Sequence, residues 1–194
     1  MAERPSDPSL SSYYINDEFY ARLIQITQEW SQVGSLPQAH VQAECEQLLV
    51  REARLIDEGK FEEWLGLFSR ECLYWIPATP GGGDPRREVS LDFHDRRRLE
   101  DRIARLRTGY AYSQIPPTLT QHLLTNIEMW TAGPQEVRAR ANFVIYTFRL
   151  GVHRAVPGWC GYVLRQENDT WKIALKQINL IDSNQGHENI SFVL

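Results

Sequence analysis

The chain has 194 residues, 42% of them hydrophobic and 24% charged, a balance that suits one domain with a sizeable core. A formal charge of -4 argues against a dedicated nucleic-acid binder, whose domains are strongly basic. Cys45, Cys72 and Cys160 are odd in number, widely spaced and without a C-x-x-C pair, which argues against a disulfide framework or a structural zinc motif.

Residues 1–12, rich in Pro, Ser and charge, read as a flexible arm ahead of a single domain over 13–194. They contain no apolar core of the kind secretion requires, and no apolar run in the chain nears the roughly 18 residues of a membrane span, so the expected location is the cytoplasm. From Asn16 onward, Phe19, Leu23, Ile26, Trp30 and Val33 recur at spacings of four and three, one face of a helix that Gly34 and Pro37 end. A second helix is expected from about Gln38 to Glu58, with Val41, Cys45, Leu48, Leu49, Ala53 and Ile56 as its apolar stripe and Gly59 as its cap. A short aromatic helix follows through Phe61, Trp64, Leu65 and Phe68. Next come a strand from Cys72 to Pro77, a Gly-rich loop, an alternating strand around Val89, Leu91 and Phe93, and a helix over 94–107 with Leu99, Ile103 and Leu106 facing inward.

Past a Tyr- and Pro-rich loop at 110–117, four segments alternate at period two: 118–131, 135–150, 159–167 and 170–181. Ala132-Gly133-Pro134 and Glu167-Asn168-Asp169-Thr170 are short enough to join antiparallel neighbours. Helices first and a strand meander after them make an α+β domain, a curved sheet with the amphipathic helices on its concave face.

Several blocks share one order and spacing with a known family. Glu52 to Pro77 runs from helix end through a short helix into a strand. Thr118-Leu-Thr-Gln-His-Leu-Leu-Thr-Asn-Ile127 carries a histidine and an asparagine four apart. Gly161-Tyr-Val-Leu-Arg165, Trp171-Lys-Ile-Ala174 and Lys176-Gln-Ile-Asn-Leu180 form a C-terminal hairpin, and Asn189-Ile-Ser-Phe192 lies near the end. Together they resemble the small (β) subunit of Rieske-type aromatic-ring-hydroxylating dioxygenases, although Val152 to Trp159 departs from the pattern before the hairpin. The resemblance implies a nuclear-transport-factor-like, or cystatin-like, cone with a strongly curved mixed sheet wrapped around the N-terminal helices. It also implies a structural role in aromatic catabolism within an α3β3 hexamer built on a β trimer, served indirectly by a ferredoxin and a reductase. The Rieske [2Fe-2S] cluster, the mononuclear Fe(II) and the substrate pocket would belong to the α subunit. In agreement, the chain has no Cys-x-His or Cys-x-x-His of the kind a Rieske centre uses.

The residues themselves leave alternatives. His40, His94, His122, His153 and His187 are isolated in sequence, so a metal site would have to be assembled from distant ligands, and none is expected. His122 and Asn126 should lie on the same side of a strand as Leu124. Asp57, an acid placed against the macrodipole at a helix C-terminus, is a candidate partner for His122. Such a pair in an apolar pocket would suit a stand-alone cone-fold isomerase, dehydratase or hydrolase with His122 as general base, or the cone could bind a ligand without catalysis. The plainer reading is a satisfied histidine and an aspartate bonded to a nearby turn, with no catalytic, cofactor-binding or metal residue in this chain.

Six arginines between positions 96 and 107, interleaved with Asp95, Glu100 and Asp101, suit either a solvated helix or a subunit interface. Candidate interface residues are Arg96, Arg97, Arg98, Arg102, Arg105, Tyr110, Tyr112, Trp75 and Phe192. Gly81-Gly-Gly-Asp84 lacks the lysine and hydroxyl of a phosphate-binding loop and reads as a connection.

Overall fold

Local signals place the helix ends in the computed structural model, which describes residues 12–32, 34–186 and 192–194. Most of the expected arm, and also Val33, His187 and Asn189 to Ser191, lie outside the described residues. Ser12, assigned to the arm, is buried. Asn16 caps α1 (Asp17–Glu29), its Oδ1 accepting from the Phe19 amide at 2.9 Å. Helix α2 (Ala39–Asp57) ends at Gly59, whose φ of 67° lets the Lys60 amide return to the Leu55 carbonyl. After α3 (Phe61–Leu65), β1 (Phe68–Pro77) and β2 (Ser90–Asp95), Asp95 caps α4 (Arg96–Thr108) through the Arg98 amide at 2.8 Å.

The remaining strands are β3 (Leu119–Gly133), β4 (Glu136–Arg149), β5 (Val152–Glu167) and β6 (Thr170–Leu180). Strand β5 therefore starts seven residues earlier than its sequence pattern suggests. The reason is the turn before it: Leu150 and Gly151 both have positive φ, as Asn168 and Asp169 do in the next turn. Two such residues match the twist of paired strands, so β4 and β5 stay in register from Arg149↔Val152 to Glu136↔Arg165. Pro157 lies just past Gly158↔Leu180, the last pair with β6, where its oxygen still accepts from the Ile181 amide at 3.4 Å and its missing N–H is tolerated.

The sheet order is β2-β1-β6-β5-β4-β3, antiparallel throughout except for β1 with β6. Helix α2 packs against β3 at one edge and also against β6, which lies three strands away, so the sheet must curve around it. Strand parity then sorts the core into two layers. Cys72, Tyr74 and Ile76 of β1 face α2, α3 and α4, together with Trp64, Leu99, Tyr162 and Ile178. Leu73 and Trp75 face the opposite way and pack with Val163, Leu175 and Trp130 against Leu23, Ile26 and Trp30 of α1.

Helix α1 thus covers the outer face and does not join the other helices in the concavity, a correction to the sequence-based expectation. Full burial of each such side chain contributes about 1.5–3 kcal/mol. Gly161 makes the seat possible, because a Cβ there would fall 2.6 Å from the Trp30 ring.

Candidate functional site

The fold brings Asp57 and His122 together. Asp57 ends α2, and β3 runs past it so that four groups converge on one carboxylate. The Thr120 hydroxyl donates at 2.8 Å, the Gln121 side-chain Nε2 at 3.3 Å, the His122 backbone N–H at 2.9 Å and His122 Nδ1 at 2.5 Å. Burial pushes the Asp57 carboxyl up, but the side-chain and backbone hydrogen bonds from His122 outweigh it and hold the group below its ordinary value.

The ring that would act as base is closed off. The His122 side chain is 3% exposed, and its Nε2 is buried without a hydrogen-bond partner among the described residues. The adjacent groove of about 510 Å³ is open and lined by Val50, Arg54, Glu58 and Gln121 among others, so it is no apolar pocket. The arrangement ties a helix end to a strand.

Asn126 does not share this side. It takes a φ of 51° in a bulge where the β3–β4 register shifts between Thr125 and Glu128. The bulge reverses strand parity, leaving Asn126 exposed and turning Ile127 and Met129 into the core.

Inside the cone lies a polar cluster that the sequence reading missed. Glu52 and Lys176, with side chains 1% and 2% exposed, form an ion pair at 2.8 Å. Trp64 Nε1 donates to the same Glu52 oxygen at 2.7 Å. Lys176 also donates to the main-chain oxygen of Leu194 at 2.8 Å, and Tyr74 binds Leu194 through both its N–H and its oxygen. This part of the interior is therefore packed by the chain's own side chains and by residues 193 and 194. Sequence did carry a signal: Glu52 falls on the apolar stripe of α2, and Lys176 shares its strand face with Ile178 and Leu180.

With this geometry in view, the comparisons with known proteins are direct. Residues 51–185 match the family model described as the ring hydroxylating beta subunit. The chain belongs to that family. The p-cumate 2,3-dioxygenase small oxygenase component of Pseudomonas putida is 32% identical over 155 residues, covering 78% of this chain and 86% of that protein. The crystal structure of the benzoate 1,2-dioxygenase β subunit from Burkholderia mallei aligns with a TM-score of 0.63 at 25% identity, over 83% of this chain and 100% of that one. A naphthalene 1,2-dioxygenase structure gives a TM-score of 0.72 at 15% identity, over 93% of this chain and 100% of that one, and shares the fold. The architecture is the curved-sheet cone of cystatin-like folds.

The donor set of this β subunit does not fit a Rieske cluster or a mononuclear iron. Cys45, Cys72 and Cys160 sit on three separate elements, α2, β1 and β5, and burial pushes each thiol up to about 12, so none is a ready thiolate. Among the described residues, no group of three or more His, Cys, Asp or Glu is placed to hold a metal ion, and no helix is long and apolar enough to cross a membrane.

The expected interface residues divide. Arg96 holds the Leu65 and Phe68 carbonyls at 2.9 and 3.2 Å, Arg98 holds the Phe93 carbonyl at 3.0 Å, and buried Arg102 holds Asp92 at 2.6 Å and the Phe192 oxygen at 2.8 Å. These three fasten α4 to the rest of the β subunit. Trp75 lies inside the core at 1% exposure with its Nε1 donating to Ser90 Oγ, so it offers little surface, whereas Phe192 is half-buried. Arg97, Arg105, Tyr110 and Tyr112 are exposed, and all but Tyr112 line an open groove of about 910 Å³ between β2 and α4.

A second surface had gone unread. Leu119, Leu123, Tyr146 and Phe148 are exposed on the outer face at the end of the sheet away from β1, and the register places Leu119 opposite Phe148 and Phe148 opposite His153. The detectable signal is Phe143 to Phe148, where apolar residues occupy both parities of one strand.

Proposed function

We propose that this chain is the structural, non-catalytic β subunit of a multicomponent ring-hydroxylating dioxygenase. A partner α subunit carries the Rieske [2Fe-2S] cluster and the mononuclear Fe(II), and the two chains assemble in the cytoplasm as an α3β3 hexamer around a β trimer. A ferredoxin and a reductase deliver electrons to the α subunit. The observation that supports this reading beyond family membership is the packed interior: Glu52, Lys176, Trp64 and Tyr74 bond one another and residue 194, so the interior polar groups are engaged in holding the fold. Exposed Arg97, Arg105, Tyr110 and Tyr112 on one side, and Leu119, Leu123, Tyr146 and Phe148 on the other, supply the contact surfaces. Aromatics and arginines are enriched at interface anchors, and a bare apolar sheet face favours burial against protein.

The p-cumate and benzoate relatives are named for aromatic acids, so an aromatic acid is the substrate class of the assembled enzyme, bound in the α subunit's pocket.

Affinity purification of this chain from its native cells tests the reading. The expected eluate contains a larger partner, iron and the visible absorption of a Rieske cluster. A colourless, iron-free chain that oxidises or dehydrates a substrate by itself would overturn it.

A further inference from the structure

The concave side of the sheet holds a piece of the chain that belongs to no helix or strand. Val193 and Leu194 are 2% and 1% exposed there. Their main chain is read group by group. Arg102 donates to the Phe192 oxygen at 2.8 Å. The Tyr74 hydroxyl accepts from the Leu194 amide at 3.0 Å and donates to the Leu194 oxygen at 2.9 Å. Lys176 donates to that same oxygen at 2.8 Å.

Lys176 needs these partners, because an ammonium buried at 2% exposure has three donors to satisfy away from bulk solvent. Glu52 satisfies one and Leu194 another, while the Tyr74 and Tyr162 rings lie 5.9 Å from Nζ. Beside Phe192 and Val193 a space of about 110 Å³ remains, walled by Ile56, Phe61, Ile115 and Pro117. Fixed polar groups bonded to the main chain, with apolar packing around the side chains, are the features of a ligand site.

We infer that the interior of the cone is a binding site for a short apolar peptide, and that Phe192 to Leu194 is the ligand it holds in cis. The side chains supply apolar burial, and Tyr74, Lys176 and Arg102 recognise the peptide main chain. Residues that read a main chain can also accept a ligand from another molecule, which must then be supplied at a concentration that replaces the advantage of being in the same chain.

The test removes residues 192–194 from the otherwise full chain and offers acetyl-Phe-Val-Leu as the probe. Millimolar probe is expected to raise the melting temperature of the shortened chain in a saturable way and to leave the full chain unchanged. Tyr74→Phe in the shortened chain should weaken the apparent affinity about tenfold. A control probe, acetyl-Phe-Val-Asp, should be ineffective, since its side-chain carboxylate would replace a leucine side chain that is 1% exposed.

A shortened chain that folds and ignores the probe overturns the inference, as does an equal response from the full chain. Should the shortened chain not fold alone, refolding from denaturant decides: recovery in the presence of the probe supports the site, and no recovery overturns it. None of these readouts involves iron or a partner, so failure here leaves the subunit assignment standing.

Discussion

Glu52 and Asp57 sit on the same helix, five residues apart, and are held in contrasting ways. Asp57 ends α2 at a half-open groove, where backbone and side-chain donors of β3 share its two oxygens. Glu52 sits in the dry interior, paired with one ammonium and one indole N–H. The first is a tie between a helix end and an edge strand, satisfied by neutral donors and a histidine. The second is a charge whose presence makes sense only with Lys176 and the tail in place. Proximity of an acid to a histidine is therefore a poor guide to chemistry here, and the more demanding electrostatics lie where no histidine is involved.

The largest expected effect comes from breaking the interior pair. Lys176→Met leaves Glu52 buried without its counter-charge and should cost about 3–5 kcal/mol in urea denaturation. The double variant Glu52→Gln with Lys176→Met should recover much of that loss. A single variant within 1 kcal/mol of the parent would mean that water reaches the site.

Asp57→Asn should cost less, about 1.5–3 kcal/mol, because it weakens charge-assisted hydrogen bonds at a half-open position. Its pH signature has a defined sign. The folded carboxyl lies below its ordinary value of 3.8, so the stabilisation is complete above that value and is lost as pH falls through the folded one. Parent and variant stabilities should therefore converge in acid below about pH 4 and stay parallel at neutral pH. Curves that converge toward high pH would contradict the assignment.

His122→Gln should lower stability by roughly 1–2 kcal/mol while leaving turnover per iron of the assembled oxygenase within about twofold. A hundredfold loss of turnover with intact assembly would restore the general-base reading. The smallest effect on folding is expected from Leu123→Asp with Phe148→Asp on the outer face, within about 0.5 kcal/mol per site. The same change should lower the oligomer mass in analytical ultracentrifugation if that face is a subunit contact.

Much of the fold was legible because periodicity and turn chemistry act locally. The apolar spacing of Phe19 to Trp30 marks α1, and Asn168-Asp169 marks a tight turn. Periodicity defines the apolar face of a helix but not the surface that covers it, which is why α1 was assigned to the concavity. Val152 to Ala155 lack alternation because they are exposed, so their strand is imposed by pairing with β4 and not by burial.

At Asn126 a side chain that tolerates positive φ permits a bulge, and the bulge moves every later residue of β3 to the other face. The contact between Asp57 and His122 was readable from an acid at an unfavourable helix end. Its closure was not, because the exposure of Nε2 depends on packing from several distant elements.

Peroxide attacks thiolate, and a thiol with a pKa near 12 is ionised to roughly one part in 10⁵ at neutral pH. Cys45, Cys72 and Cys160 are all buried in that protonated form, and Met129 is buried at 5% exposure. Among its described residues the chain presents no accessible sulfur, so peroxide should modify Cys45, Cys72 and Cys160 slowly.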